Sequence, residues 1–129
     1  MTRIKLCGLT REEDIAIANE LQPDYVGFVF WPRSSRCVSP ETARFLRGRL
    51  DDCIAAVGVF VDAPVEQVAG LLNDGTIDIA QLHGHENDAY IAAVSARMSL
   101  YEAYYSSDTA LISELGARMC LERALSLCT

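Results

Sequence analysis

No apolar run in this sequence approaches the roughly 20 residues needed to cross a bilayer as a helix. The longest, which contains Ala55 to Val61, has the length of a buried strand. The opening Met1-Thr2-Arg3-Ile4-Lys5 shows no long apolar stretch ahead of a small-residue cleavage site, so no secretory signal is expected and the cytoplasm is the expected location. Basic residues are outnumbered: 11 Lys and Arg face 18 Asp and Glu, for a net charge of -7, which opposes nonspecific nucleic-acid binding. The five cysteines are odd in number and none forms a CxxC pair, which excludes a zinc ribbon or dithiol redox motif. GxGxxG, Walker A and GxSxG motifs are all absent, removing the commonest nucleotide-binding and serine-hydrolase signatures. Half the residues are hydrophobic and 22% are charged, as expected of one folded domain over residues 1–129 rather than a disordered chain.

What is present is an alternation of strands and helices. Arg3 to Cys7 reads as a strand, then a helix capped by Thr10 runs over Arg11 to Leu21, with Glu12, Glu13 and Asp14 in its first turn. Tyr25 to Phe30 is nearly continuous apolar sequence, the pattern of a strand covered on both faces. Ser39-Pro40-Glu41 starts a helix through about Arg49. The unit repeats: Ile54 to Val61 as strand, a helix from Ala63-Pro64 to about Leu72, Ile77 to Leu82 as strand, and Asn87 to Met98 as helix. Beyond it, Leu100 to Tyr105 is a candidate fifth strand containing Glu102, and Thr109 to Leu127 reads as one or two helices. Strand–helix alternation calls for a parallel α/β sheet. An open doubly wound sheet and four to five units of a (β/α)8 barrel both satisfy the periodicity. A closed barrel takes about 200 residues or more, so this chain is too short to close one alone.

In either architecture reactive groups gather at the carboxyl ends of the strands. Cys7-Gly8, the loop Pro32-Arg33-Ser34-Ser35-Arg36, Asp62, and His83-Gly84-His85-Glu86 all fall there. A strand-end cysteine is ordinarily a small buried hydrophobe. The chemical alternative is a thiolate acting as nucleophile or base, which needs positive charge nearby, since an ordinary thiol is largely protonated at neutral pH. Lys5 shares a strand face with Cys7 by the period of two, and Arg36 comes from a neighbouring loop. Gly8, lacking a Cβ, is expected to let a substrate approach the backbone. Arg33 and Arg36 read either as a solvated loop or as recognition of an anion, for which a guanidinium offers a planar fork. His83 and His85, two apart beside one glutamate, are a poor metal set. A neutral His83 contacting substrate or tying down its loop is the preferred reading, and no metal is expected. Cys37, Cys53, Cys120 and Cys128 are expected to be packing residues.

These residues also carry a resemblance. Lys5-Leu6-Cys7-Gly8-Leu9-Thr10 is similar to the opening K-I-C-G-I/L-T of phosphoribosylanthranilate isomerases. Tyr25 to Phe30, followed by Trp31-Pro32-Arg33-Ser34-Ser35-Arg36, resembles their second strand and P-x-S-x-R loop. Val57-Gly58-Val59-Phe60-Val61 resembles their third strand, and Gln81-Leu82-His83-Gly84-His85-Glu86 resembles their Q-L-H-G-x-E motif. The resemblance covers about residues 2–96. It implies part of a TIM (β/α)8 barrel and a cofactor-free Amadori rearrangement of a phosphosugar substrate, N-(5-phosphoribosyl)anthranilate, in tryptophan biosynthesis. It further implies Cys7 as the base, Arg36 at the anionic anthranilate end, and His83 lining the pocket. The family's acid is an aspartate of an L-L-D segment ending the fifth strand. That segment is missing here, and Asp108 is the only aspartate after Asp88. The Gly-rich phosphate loops of the last strands are also missing, and residues 100–129 diverge from the family. A second reading follows: a truncated, noncatalytic half-barrel acting as a binding or assembly module. Its two open sheet edges and apolar inner face predict self-association.

Overall fold

The computed structural model describes residues 2–98 together with the backbone of two later strands, Glu102–Tyr105 and Ala110–Ser113. Four strand–helix units come first: β1 (Lys5–Cys7), α1 (Glu12–Leu21), β2 (Tyr25–Val29), α2 (Pro40–Arg47), β3 (Ala55–Phe60), α3 (Val65–Asn73), β4 (Ile79–Leu82) and α4 (Asp88–Ser95). Strands β1 to β4 pair in parallel in chain order, with Cys7 opposite Gly27, Gly27 opposite Val57, and Val59 opposite Gln81. These are the expected elements, with ends shifted by one to three residues.

The strands alternate between two environments. Val26, Phe28, Phe30, Ala56, Phe60, Ala80 and Leu82 face the helices and form one core with Ile15, Ala18, Leu46, Val68, Leu72, Ile91 and Val94. Each fully buried large side chain contributes about 1.5–3 kcal/mol. The Phe30 and Phe60 rings stack at 5.0 Å between centroids. Gly58 makes room for them, since a Cβ there would stand 2.9 Å from Phe60 and 3.1 Å from Phe30. The opposite face of the sheet carries Lys5, Cys7, Gly27, Val29, Val59 and Gln81, the start of a barrel lining.

Helix starts explain where the chain leaves the sheet. Ser39 caps α2, its hydroxyl accepting from the Thr42 N–H at 3.1 Å with Pro40 at the first helical position. Asn87 caps α4 by accepting from the Tyr90 N–H at 2.9 Å. For α1 the expected cap, Thr10, is displaced: Arg11 occupies the cap position, and Asp14 accepts from the N–H groups of Thr10 and Arg11. A carboxylate reaching back from the third helical position satisfies the free N–H groups in place of a hydroxyl. The Arg11 guanidinium and these backbone donors hold the Asp14 carboxyl below the ordinary carboxylate range.

After α4 the parallel alternation stops. Strand β5 (Glu102–Tyr105) forms inside the segment expected to hold a fifth strand and includes Glu102. The second strand, β6 (Ala110–Ser113), lies where a helix from Thr109 was expected, which corrects that expectation at these four positions. It pairs antiparallel with both β4 and β5, so the sheet order is β1-β2-β3-β4-β6-β5. A run of three apolar residues and a serine satisfies helix and strand patterns equally, and pairing with an open strand edge decides between them. The rest of the expected helical segment, Thr109 and residues 114–127, lies outside the described residues. The sheet is therefore four barrel-type units and an antiparallel extension, not a closed barrel.

Candidate active site at the carboxyl ends of the strands

Cys7 ends β1 with its thiol exposed on the inner face, not buried among apolar neighbours. Lys5 lies two residues earlier on the same face, and its ammonium donates to Oε1 of Gln81, on β4, at 2.7 Å. Gln81 is 2% exposed, so a fixed amide anchors a flexible four-carbon stem. Gly27, opposite Cys7 on β2, leaves the space in which the two side chains meet. A Cβ there would stand 2.7 Å from Cys7 Sγ and 2.9 Å from Lys5 Cε.

Arg36 reaches the same face from the loop after β2. That loop folds on itself: the Ser34 N–H donates to the Trp31 carbonyl at 3.0 Å, the Cys37 N–H to that of Ser34 at 3.1 Å, and the Arg36 N–H to the Ser34 hydroxyl. The Val38 N–H then rejoins β2 at the Val29 carbonyl. Arg36 Nη1 donates to the Cys7 carbonyl oxygen at 3.0 Å. Gly8 makes this approach feasible. Its φ is +89°, and a Cβ would stand 2.5 Å from Arg36 Nη1 and 2.6 Å from its Cδ. The open side of Gly8 is thus filled by Arg36, where the sequence suggested a space for substrate.

His83 follows β4, its N–H donating to the Phe60 carbonyl at 2.8 Å. The turns after β3 and β4 are stitched together beside it. Glu86 accepts from the Asp62 N–H and the Gly84 N–H, both at 2.8 Å. Asp62, at a φ of +51°, accepts from the His85 N–H at 2.7 Å and lies 3.0 Å from His85 Nδ1. That contact raises the His85 pKa above its ordinary value and lowers that of Asp62. His85 is therefore a loop fastener, and the two histidines part company. Among the described residues, no group of three His, Cys, Asp or Glu is placed to hold a metal ion.

Lys5, Cys7, Arg36 and His83 line one pocket of about 270 Å³, closed on its apolar side by Trp31, Val59 and Val61. Arg33 is not among its lining residues. Gln81 and Trp31 were missed as site residues, although Gln81 shares the parity of His83 along the strand and Trp31 opens the arginine loop. A larger cavity, about 360 Å³, lies at the opposite ends of the strands, between Arg3, Asp24, Arg47 and Asp78. Its charges are engaged in structure: Arg47 pairs with Asp78 at 3.1 Å, and Asp78 accepts from the Ala56 N–H. That end of a parallel barrel serves stability. Cys53 borders it, and both Cys53 and Cys37 are exposed, which corrects their expected packing role. Cys53 donates its S–H to Gln22 Oε1 at 3.0 Å. Cys120 and Cys128 lie outside the described residues. No helix among the described residues is long and apolar enough to cross a membrane.

Residues 4–120 match the family model of N-(5'phosphoribosyl)anthranilate isomerase. Over 98 residues the chain is 45% identical to an N-(5'-phosphoribosyl)anthranilate isomerase of Endomicrobium trichonymphae, covering 76% of this chain and 48% of the relative. It is 48% identical over 91 residues to the isomerase of a Thermoanaerobacter species, covering 70% and 44%. A phosphoribosyl anthranilate isomerase solved in complex with reduced 1-(o-carboxyphenylamino)-1-deoxyribulose 5-phosphate superposes with a TM-score of 0.69 at 37% identity, over 76% of this chain and 50% of that one. The Thermus thermophilus isomerase gives 0.67 at 39%, over 75% and 48%. The chain spans about half the length of the curated relatives it matches. A family model matched along nearly the whole sequence, on a sheet that superposes with solved members, leaves one assignment: the chain belongs to the N-(5'phosphoribosyl)anthranilate isomerase family.

Proposed function

We propose that this chain carries the base and the anion-binding end of a site for the Amadori rearrangement of N-(5'-phosphoribosyl)anthranilate. The observation that carries the reading is the convergence of Cys7, Lys5, Arg36 and His83 on one pocket at the carboxyl ends of four parallel strands. In this reaction an acid protonates the furanose ring oxygen, the C1–O bond breaks, and a Schiff base forms at C1. Cys7 then removes the proton from C2, and that electron pair forms the C1–C2 double bond as the imine nitrogen is neutralised. The resulting enol becomes the ketone. A positioned base contributes about 10²- to 10⁴-fold. Arg36 pairs with the anthranilate carboxylate through its guanidinium fork, Gly8 admits Arg36 to that place, and Lys5 and His83 contact the substrate. The family's acid is a later aspartate, and in this sequence Asp108 is the only one beyond Asp88. The reaction uses no metal or organic cofactor, and its setting is the cytoplasm.

The test is fluorescence-monitored turnover of phosphoribosylanthranilate by the purified chain, with Cys7→Ala alongside. Turnover that survives this substitution overturns the base assignment. Calorimetric binding of the reduced product analogue without turnover supports the second reading, a half-barrel that binds but does not convert. We also propose self-association through the exposed inner face and the β1 edge. A monomer by sedimentation at micromolar concentration contradicts it.

A further inference from the structure

We propose that Glu86 is a positioning residue that holds His83 at the pocket by latching the turn after β4 to the turn after β3. The proposal rests on the reading of His83 as a substrate contact and adds what keeps that contact in place.

The latch is reciprocal. From the turn after β4, Glu86 accepts from the Asp62 N–H through Oε1 and from the Gly84 N–H through Oε2, both at 2.8 Å. From the turn after β3, the Asp62 carboxylate accepts from the His85 N–H at 2.7 Å. Each turn therefore supplies a carboxylate to the backbone of the other. Tyr90, in the first turn of α4, adds a third tie by donating to the Ala63 carbonyl at 2.6 Å. His83 sits between two fixed points. Its own N–H donates to the Phe60 carbonyl at 2.8 Å, and the next N–H, that of Gly84, is held by Glu86. Val61 is bracketed in the same way between Phe60 and Asp62, and both His83 and Val61 line the pocket.

Two features show that this close approach is built into the chain. A Cβ at position 84 would stand 2.7 Å from Asp62 Oδ1 and 2.9 Å from the Asp62 backbone nitrogen, so glycine is what lets the turns meet. Asp62 itself takes a φ of +51°, a conformation that a non-glycine residue keeps where surrounding bonds over-determine it. The residue type at 86 matters as well. A carboxylate offers two acceptor oxygens, one for each N–H. Glutamine has nearly the same shape but only one oxygen and an NH2 donor, so one of the two N–H groups would face another donor.

The experiment measures amide exchange by NMR at pH 7 on the whole chain. The Val38 N–H, bonded to the Val29 carbonyl in the loop after β2, serves as reference. Loss of one hydrogen bond shifts a local opening equilibrium by about fivefold. Glu86→Gln is expected to speed exchange at His83 by about that factor, although the acceptor of the His83 N–H is untouched, and to leave Val38 unchanged. Gly84→Ala, which parts the turns by bulk, is expected to do the same. Calorimetric binding of the reduced product analogue supplies the second readout. Glu86→Gln is expected to weaken it about fivefold, and to cost nothing further in a chain that already carries His83→Ala. That non-additivity separates action through His83 from a general loosening of the fold. Unchanged exchange at His83 in both variants, equal acceleration at Val38, or additive binding losses each overturn the proposal. If the unaltered chain does not bind the analogue, the isomerase reading fails, and exchange at His83 alone decides whether Glu86 orders this residue.

Discussion

Replacing Gly27 by alanine tests whether the inner face is built around Cys7. The added methyl would lie 2.7 Å from Cys7 Sγ, 2.9 Å from Lys5 Cε and 3.2 Å from Cys7 Cα. Lys5 can swing its stem, but the Cα belongs to a strand held in register and the thiol has one torsion to turn. Overpacking of this kind costs about 1–3 kcal/mol. Against it stands the gain of about 0.5–1 kcal/mol that alanine brings by restricting the unfolded chain. The net expectation is a loss of about 1–2 kcal/mol, read from urea unfolding followed by circular dichroism at fixed protein concentration. Gly70→Ala supplies the control. It makes the same chemical change inside α3, where a Cβ would have no atom within 4 Å, and is expected to gain about 0.5–1 kcal/mol. If Gly27→Ala proves as stable as Gly70→Ala and leaves Cys7 alkylation unchanged, Cys7 and Lys5 do not share the space in front of Gly27.

Phe60→Ala removes a fully buried ring and its stack on Phe30. A loss of about 3–5 kcal/mol is expected in the same urea assay, and a loss below about 1 kcal/mol would place the ring outside the core. Ser39→Ala deletes the hydroxyl that caps α2 and is expected to cost about 1 kcal/mol, whereas Thr10→Ala, at the position displaced from its cap, should leave α1 nearly unaffected. His85 is expected to titrate above 6.5 by proton NMR and to fall back in Asp62→Asn, because the Asp62 carboxylate raises it. The His85 contribution is complete below the unfolded histidine value and is lost as pH rises through the folded one. The Asp62 contribution, with a lowered pKa, is complete above the ordinary carboxylate range and is lost as pH falls through its folded value. The Asp62–His85 contact is accordingly tightest between those two limits, and exchange of the His85 amide proton should be slowest there.

The four strand–helix units were legible because each is written twice in the sequence, once as an apolar run and once as a start signal such as Ser39-Pro40 or Asn87. The company of Cys7 was legible in part. Period two placed Lys5 with it, and loop order brought Arg36. Gln81 was not, since its contribution depends on a hydrogen bond to a residue 76 positions away, and nothing local distinguishes a buried glutamine from an exposed one. Gly8 was flagged for a close approach, and Arg36 makes one: a missing Cβ announces a close approach without naming who approaches. The exposure of Cys37 and Cys53 was illegible for a related reason, because a short thiol side chain follows the loop that carries it.

The later strands show how an open edge changes the meaning of sequence beyond it. In a continuing barrel the next strand beside β4 would be parallel and supplied by the next unit. Here β4 pairs along its whole length with β6, from Ile79 opposite Ser113 to Leu82 opposite Ala110, and β5 stands outside β6. The described sheet still ends in two edge strands, but they are not β1 and β4. The β4 edge is covered from within the chain, and the described sheet ends at β1 on one side and β5 on the other. Ile4, just ahead of β1, is 54% exposed, and on α1 Ile17 and Leu21 are 50% and 65% exposed. An unpaired strand edge beside exposed apolar side chains is the feature that recruits another strand. Any partner that extends this sheet on that side therefore meets β1 and α1, whereas the pocket around Cys7 lies on the inner face.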